Sequence, residues 1–280
     1  MRVLVTGACG YIGKHVVRAL LDEGHEVIAS DVIIHDLDTR AIKYEGDIFE
    51  KGDKVYKETG EPEVLIHMAW KDGFIHNSPS HMSCLSKHYC FLNDFINAGC
   101  KNIAVMGSMH EVGYWEGAID ENTPCNPSSL YGIAKNALRQ ALFLLSQKEE
   151  FNLLWLRAFY IYGDDENGSS IFSKIVRADK EGKSLFPFTS GKNKYDFIHV
   201  DDLAKLIAIA STQHSVTGII NVCTGKPVSL SDQVESFIVQ KGLKIKLDYN
   251  KYPDREYDSP IIYGDTKKID RIIENYRRIR

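Results

Sequence analysis

The stretch RVLVTGACGYIG, residues 2–13, decides the fold of this chain. Residues 2–6 are mostly apolar and predict a buried strand, and the apolar residues that follow the stretch recur at helical spacing. Between strand and helix, Gly7 can turn tightly, Gly10 lets a backbone approach an anion, and Gly13 lets the helix pack closely on the strand. A strand, a glycine-rich turn and a helix in this order are the context that a dinucleotide-binding fingerprint requires.

Apolar runs alternate with helical patterns through most of the chain. Strands are predicted within residues 2–6, 25–31, 41–48, 63–69, 101–108, 151–163 and 218–225. Helices are predicted after the first strand and at about 80–98 and 201–211. Nearly continuous apolar strands separated by helices indicate a parallel sheet that is covered on both faces. With right-handed crossovers, this predicts an α/β fold with a doubly wound parallel sheet of the Rossmann type.

The character of the sequence changes after Gly163, where turn-rich segments such as PFTSGKNKYD appear. These segments are too small to fold alone. We therefore expect residues 1–160 and 196–224 to form a dinucleotide-binding domain, and residues 161–195 and 225–280 to form a smaller, C-terminal substrate-binding lobe.

Composition excludes several classes of partner. The chain is 44% hydrophobic and 26% charged, as is ordinary for a soluble protein, and its net charge of -4 does not favour nucleic acid or an anionic membrane. No apolar stretch reaches the roughly 20 residues that span a bilayer. A strand is predicted directly after Met1, so we expect no signal peptide and a cytoplasmic location.

The six cysteines show no paired zinc spacing, and reduced thiols are the simplest interpretation. His81, Cys84 and His88 lie on one side of a predicted helix, but a zinc site would need a fourth ligand in register. We therefore predict no metal.

Two acids follow the second and third strands. Asp31 closes the second strand 18 residues after Gly13, where its carboxylate can accept both adenosine ribose hydroxyls and would repel a 2′-phosphate. This favours NAD over NADP, although NADP is possible. Asp47 and Ile48 are expected to meet the adenine; alternatively, Asp47 is a solvated loop acid.

Tyr131 and Lys135 lie one helical turn apart on the same face of a predicted helix. A free tyrosine has a pKa near 10, and we expect the ammonium and a positive nicotinamide to lower it towards the working pH. The phenol could then exchange a proton with an alcohol or a carbonyl. A hydroxyl from the loop after the fifth strand, which ends in Ser108, would complete the polar contacts to that oxygen.

Six motifs together resemble the extended short-chain dehydrogenase/reductase family of NAD-dependent epimerases, dehydratases and reductases. They are TGACGYIG (6–13), HMAW (67–70), YGIAK (131–135), LRAFYIYG (156–163), YDFIHVDDLA (195–204) and GDTKKI (264–269). They follow the family order from Met1 to about Ile269.

The resemblance implies a set of site residues. The cofactor would contact Gly7, Cys9, Gly10, Tyr11, Ile12, Asp31, Asp47, Ile48, Met68, Ala69, Lys135 and Phe159. The substrate, a nucleotide sugar, would meet Trp70, Met109, Tyr160 and Arg255. Arg255 would bind the substrate pyrophosphate, unless it forms a surface salt bridge. The helix of Tyr131 and the 80–98 helix would build a homodimer through a four-helix bundle.

The chain departs from the family in the loop after the fifth strand. The family usually has S-S/T and two more residues before V-Y-G, whereas this chain has SMHEVG at 108–113. Aligned on Val112, Met109 occupies the position of the catalytic hydroxyl, so either Ser108 or His110 would serve in its place. The 4,6-dehydratases need an Asp-Glu pair, of which only Glu111 would remain, so a dehydratase is not expected. Tyr160 stands where the family often has a substrate-binding asparagine.

The stretches GSMHEVGYWEG (107–117) and HMAWKDGF (67–74) look most like a group within the family, the reductases of dTDP-4-keto-6-deoxyglucose. Trp70 and Lys71 would then border the sugar, unless Trp70 is a core residue. The resulting hypothesis is reduction at carbon 4, with Tyr131 as the acid. A 4-epimerase with tightly bound NAD is the alternative, and a non-enzymatic NAD(P)-sensing protein is disfavoured by the Tyr-Lys pair.

Overall fold

The computed structural model describes residues 1–163, 168, 170–254 and 258–279. In chain order the strands are β1 (Arg2–Thr6), β2 (Glu26–Asp31), β3 (Ile42–Glu45), β4 (Val64–His67), β5 (Asn102–Ser108), β6 (Gly117–Ile119), β7 (Asn152–Ala158), β8 (Tyr160–Tyr162), β9 (Leu185–Pro187), β10 (Lys194–His199), β11 (Gly218–Val222), β12 (Pro227–Ser229), β13 (Lys246–Asp248) and β14 (Ile261–Gly264). The α-helices are α1 (Gly13–Asp22), α2 (Ile48–Lys51), α3 (Lys54–Glu58), α4 (Ser80–Ser83), α5 (Leu85–Ala98), α6 (Leu130–Ser146), α7 (Ile171–Lys180), α8 (Val200–Ser211), α9 (Leu230–Gln240) and α10 (Lys267–Ile279).

The central element is a parallel seven-stranded sheet with the order β11-β7-β5-β4-β1-β2-β3. Successive side chains of a strand point to opposite faces, so Val3 and Val5 join one apolar cluster while Leu4 joins another. Helices α1, α8 and α10 cover the first face, and α5 and α6 cover the second. The predicted doubly wound α/β fold is confirmed.

A second sheet lies beyond the carboxyl ends of the central strands. It has the order β12-β10-β14-β6, and β8 also pairs with β10. A third apolar cluster, which includes Met109, Phe159 and Phe172, joins this sheet to α7 and α9. The region outside the carboxyl ends of the strands is where open α/β folds bind ligands.

Some elements of the structure differ from those predicted from the sequence. The run 151–163, predicted as one strand, is interrupted at Phe159, so that β7 lies in the central sheet and β8 in the second. The predicted 80–98 helix is interrupted at Cys84. Residues 195–199, for which no strand was predicted, lie in β10.

The division into two domains stays a prediction. Residues 117–119 belong to the second sheet, and α10 packs against α8 and β11 of the central sheet. Over the part of the chain that the structure describes, none of the helices has the length and apolar character needed to cross a bilayer.

Candidate active site

The glycine-rich turn forms a narrow cradle at the start of α1. Gly7 has a φ of 69°, and a Cβ on it would come within 2.7 Å of the Ala69 nitrogen. A Cβ on Gly13 would overlap the carbonyl oxygen of Gly7. Helix α1 has no acidic residue in its first turn, and Ile12 gives it no side-chain cap, so its positive end remains available to an anion. The cradle therefore fits the pyrophosphate of a dinucleotide.

Asp31 ends β2 directly beside this cradle. Its Oδ2 accepts a hydrogen bond from the Cys9 N–H at 2.9 Å, and its Oδ1 accepts one from the Val32 N–H at 2.8 Å. The carboxylate thus ties the glycine-rich turn to the second strand, which is the position expected of a ribose-binding acid. Each oxygen keeps a second lone pair for a ligand hydroxyl.

Asp47 and Ile48 play a structural part that their sequence position did not indicate. Asp47 caps α2 by accepting a hydrogen bond from the Phe49 N–H at 2.9 Å, and Ile48 is buried in the second apolar cluster. Asp47 is therefore not simply a solvated loop acid. Contact of these two residues with adenine stays a prediction.

The end of β4 is fastened to the turn by Thr6. The N–H groups of Met68 and Ala69 lie 3.2 and 3.4 Å from the Thr6 hydroxyl oxygen. Phe159, the last predicted cofactor residue, is buried at the junction of the two sheets. The predicted cofactor residues thus surround the carboxyl ends of the strands.

Helix α6 holds Tyr131 and Lys135 on one face. Ser129 caps the helix, and the Tyr131 N–H donates to the His76 carbonyl oxygen at 2.8 Å. The Lys135 side chain is buried, its Nζ donates to the Met106 carbonyl oxygen at 2.7 Å, and Nζ lies 5.9 Å from the centre of the Tyr131 ring. The structure brings the predicted pair together.

Burial decides the protonation of this pair. It raises the pKa of Tyr131 to about 12, while a hydrogen bond with Ser108 acts in the opposite direction. Burial also lowers the pKa of Lys135 to about 7, against the attraction of Glu111. Burial thus acts against the lowering expected from the ammonium and a bound nicotinamide, because it removes hydration from the charged form of the phenol. At neutral pH the phenol carries its proton.

The loop after β5 presents Ser108, and not Met109, to Tyr131. The Ser108 side chain acts to lower the pKa of the Tyr131 phenol, whereas Met109 is buried in the third apolar cluster. Gly113 has a φ of 79°, and a Cβ on it would overlap the carbonyl oxygen of Asn126, so a glycine is required there. Aligned on Gly113 instead of Val112, Ser108 falls five residues before the glycine, where the family has its hydroxyl. The alignment on Gly113 differs by one residue from that on Val112, and the burial of Met109 favours it.

His110 also lies at the site. Its ring is 6.1 Å from that of Tyr131 and 4.4 Å from that of His76, which in turn stacks on Tyr131 at an angle of 12°. Burial lowers the pKa of His110 to about 4, so this imidazole is neutral at pH 7. His76 was missed by the sequence analysis, since a histidine in an irregular segment has no distinctive spacing.

Glu111 faces the protein interior. It is fully buried, and its carboxylate accepts hydrogen bonds from the Ser108 N–H at 2.6 Å and from Trp155 Nε1 at 2.9 Å. Arg157 and Arg139 lie 3.5 and 3.7 Å from it. Ser108 and Glu111 form a capping box, whose S-x-x-E signature is visible at 108–111. The carboxylate thus fixes the loop and is not free to act as a base.

Trp70, Tyr160 and Arg255 were also predicted to contact the substrate. Trp70 rests against Lys135, and its Nε1 donates to His81 Nδ1 at 3.1 Å, while His88 bonds to His67 at 2.9 Å. Tyr160 stacks on Tyr195 in the second sheet, with ring centres 4.2 Å apart. Arg255 lies outside the described residues.

Comparisons with known proteins identify the family of this chain. The profile of the NAD dependent epimerase/dehydratase family matches residues 3–223. The chain is 47% identical to a dTDP-6-deoxy-L-talose 4-dehydrogenase (NAD(+)) of Aggregatibacter actinomycetemcomitans, across 94% of this chain and 99% of the relative.

Solved structures show the same fold. A UDP-glucose 4-epimerase matches with a TM-score of 0.85 at 20% identity, covering 97% of this chain and 91% of that chain. MoeE5 in complex with UDP-glucuronic acid and NAD matches with a TM-score of 0.80 at 24% identity, covering 98% and 93%. The predicted NAD cofactor is confirmed. The chain therefore belongs to the NAD dependent epimerase/dehydratase family, as an NAD-dependent enzyme of the extended short-chain dehydrogenase type.

Proposed function

We propose that this protein interconverts the 4-hydroxyl and 4-keto forms of a dTDP-linked 6-deoxyhexose. The observation that carries the proposal is the 47% identity to the dTDP-6-deoxy-L-talose 4-dehydrogenase, which extends over nearly the whole of both chains. Oxidation of the alcohol and reduction of the ketone are two directions of one reaction, and the same side chains serve both. We expect 6-deoxy-L-talose as the sugar, with the D-fucose nucleotide as the alternative that the loop sequences favoured.

The chemistry follows from the side chains around Tyr131. NAD(H), when bound at the glycine-rich turn, would supply or accept the hydride at carbon 4 of the sugar. During reduction the Tyr131 phenol donates its proton to the oxygen on that carbon, and during oxidation the phenolate takes it back. The Ser108 hydroxyl, which acts to lower the pKa of the phenol, would donate to the same oxygen. Lys135 would hold the cofactor ribose from its buried position behind Tyr131.

The loop after β5 also argues against elimination of water. A 4,6-dehydratase needs an acid pair directly after its catalytic hydroxyl, and those positions are Met109 and His110 when the loop is aligned on Gly113. Met109 is buried among apolar side chains, and Glu111 is committed to Ser108 and Trp155. These contacts support hydride transfer without elimination.

The purified protein should be tested with dTDP-6-deoxy-L-talose and dTDP-D-fucose in the presence of NAD+, and with their 4-keto forms in the presence of NADH or NADPH. We expect NADH to accumulate stoichiometrically with the 4-keto product from the talose nucleotide. Interconversion of two 4-hydroxy epimers with no net NADH would instead identify an epimerase. Oxidation of the fucose nucleotide alone would overturn the choice of sugar.

We also propose a homodimer through α5 and α6. On α6, Ile133 and Leu144 are exposed apolar residues, with 39% and 61% of their surfaces accessible. Such side chains are buried when two helix pairs form a bundle. Sedimentation analysis of the wild type and of Leu144→Lys tests this: a wild-type monomer would refute it, and the variant should dissociate.

A further inference from the structure

The indole of Trp70 lies against both a cation and a buried imidazole. Lys135 Nζ is 3.7 Å from the centre of the indole, and the His88 ring stacks on the indole at 4.3 Å and 15°. The ammonium and the imidazole therefore both lie in direct contact with the indole of Trp70.

Hydrogen bonds hold this indole in place. Its Nε1 donates to His81 Nδ1 at 3.1 Å. On its stacked side, His88 Nδ1 is 2.9 Å from His67 Nε2, and His67 Nδ1 is 2.9 Å from the Thr6 hydroxyl. Thr6 begins the glycine-rich turn, so a continuous series of contacts runs from the cofactor cradle to Trp70. The ring has little freedom to move away from the ammonium.

We propose that Trp70 is a positioning residue that holds the Lys135 ammonium, through a cation–π contact, where Lys135 serves Tyr131 and the cofactor ribose. A buried ammonium needs partners for its three N–H groups, and the Met106 carbonyl oxygen takes one of them. The indole face is the strongest aromatic partner for a cation, and the contact strengthens when water is excluded. This role differs from the sugar contact that the sequence suggested. The proposal for Trp70 rests on the proposed function only in those experiments that measure turnover of the sugar.

The other titratable groups around the ammonium leave a clear role for the indole. Glu111, His67 and His88 interact electrostatically with Lys135, and the Tyr131 ring centre lies 5.9 Å from its Nζ. Burial lowers the pKa of His88 to about 3 and that of His67 well below its ordinary value, so both are neutral at pH 7. Glu111 is the negative group of this set, and it is engaged by arginines. The π face of Trp70 and the Met106 carbonyl oxygen are the partners in direct contact with the ammonium.

The test compares Trp70→Leu with Trp70→Phe. Leucine removes the π face, and we expect affinity for NAD+, measured by calorimetry, and kcat/KM each to fall about tenfold. Phenylalanine keeps a weaker π face without the N–H, and should stay within about threefold of the wild type. In the leucine variant, the loss of reductase activity with rising pH should begin at lower pH, because the ammonium is less stabilised. Equal effects of leucine and phenylalanine, or unchanged NAD+ affinity in Trp70→Leu, would overturn the proposal.

Phe49→Leu is the matched control. Phe49 contacts the same His88 ring, at 4.9 Å and 83°, without being the ring that faces Lys135. It should change stability but leave NAD+ affinity and the pH profile as in the wild type; if it reproduces the effects of Trp70→Leu, loss of packing explains them and the proposal fails. Calorimetry needs no sugar, so a wild type that binds NAD+ but turns over no 6-deoxyhexose refutes the proposed function alone.

Discussion

Replacing Lys135 with methionine should stabilise the cofactor-free protein while it removes activity. Burial lowers the pKa of this lysine from 10.5 to about 7, which means that the charged ammonium destabilises the folded state. At about 1.4 kcal/mol per pKa unit, the cost at pH 6 is up to roughly 4–5 kcal/mol. The contacts with Met106 and Trp70 offset part of this cost. We therefore expect a gain of about 2–4 kcal/mol for a methionine of similar length.

The pH dependence has a definite sign. Because the folded pKa lies below the unfolded one, the cost is fully present below about pH 7 and disappears as the pH rises towards 10.5. Urea unfolding of the cofactor-free protein at pH 6 and at a pH of about 10 measures this difference. Lys205→Met on α8, where the lysine side chain is 67% exposed, is the control and should show no comparable gain. A Lys135→Met protein no more stable than the wild type at pH 6, or one with a pH-independent gain, would refute the reasoning.

Three further predictions concern the same site. Tyr131→Phe should lower kcat by about 10²-fold or more and leave calorimetric NAD+ affinity nearly unchanged; more than about a tenth of wild-type activity would exclude the phenol as the acid. Ser108→Ala should lower kcat by about 10²-fold. His110→Ala should have a smaller effect and should leave the wild-type pH profile around pH 6.5 unchanged, since the His110 pKa is about 4. Asp31→Asn retains an acceptor for the Cys9 N–H but loses the charge, so the preference for NADH over NADPH should narrow about tenfold. A wild-type preference for NADPH would contradict the assignment of Asp31 as the ribose-binding acid.

The fold was predictable because its signals are local. The central strands are short apolar runs such as residues 63–69, and each is followed by helical spacing or by a turn. The Tyr131 and Lys135 pair is also local, since one turn of α6 brings the two side chains to one face. Such features depend on backbone periodicity, which a sequence shows directly.

The alignment register of the catalytic loop was harder to predict from the sequence than the fold. Val112 and Gly113 were both possible anchors for alignment, and they differ by one residue. The structure selects Gly113 because its positive φ and its contact with Asn126 admit no side chain. Asn126 is distant along the chain, so the sequence gives no sign of this contact. The same reason explains why the cation–π contact of Trp70 and Lys135 was not foreseen.

The register anchored on Gly113 gives Glu111 a chemical role. Aligned on Gly113, Glu111 occupies the position of the valine in the family's V-Y-G, so this chain has a buried carboxylate where an apolar residue is usual. Its negative charge raises the pKa of Tyr131 and acts to raise that of Lys135. Both groups therefore keep their protons to higher pH than they would beside a valine. A protonated phenol and a charged ammonium are the states that reduction of a ketone requires, so the departure from the family pattern favours the proton-donating form of the site.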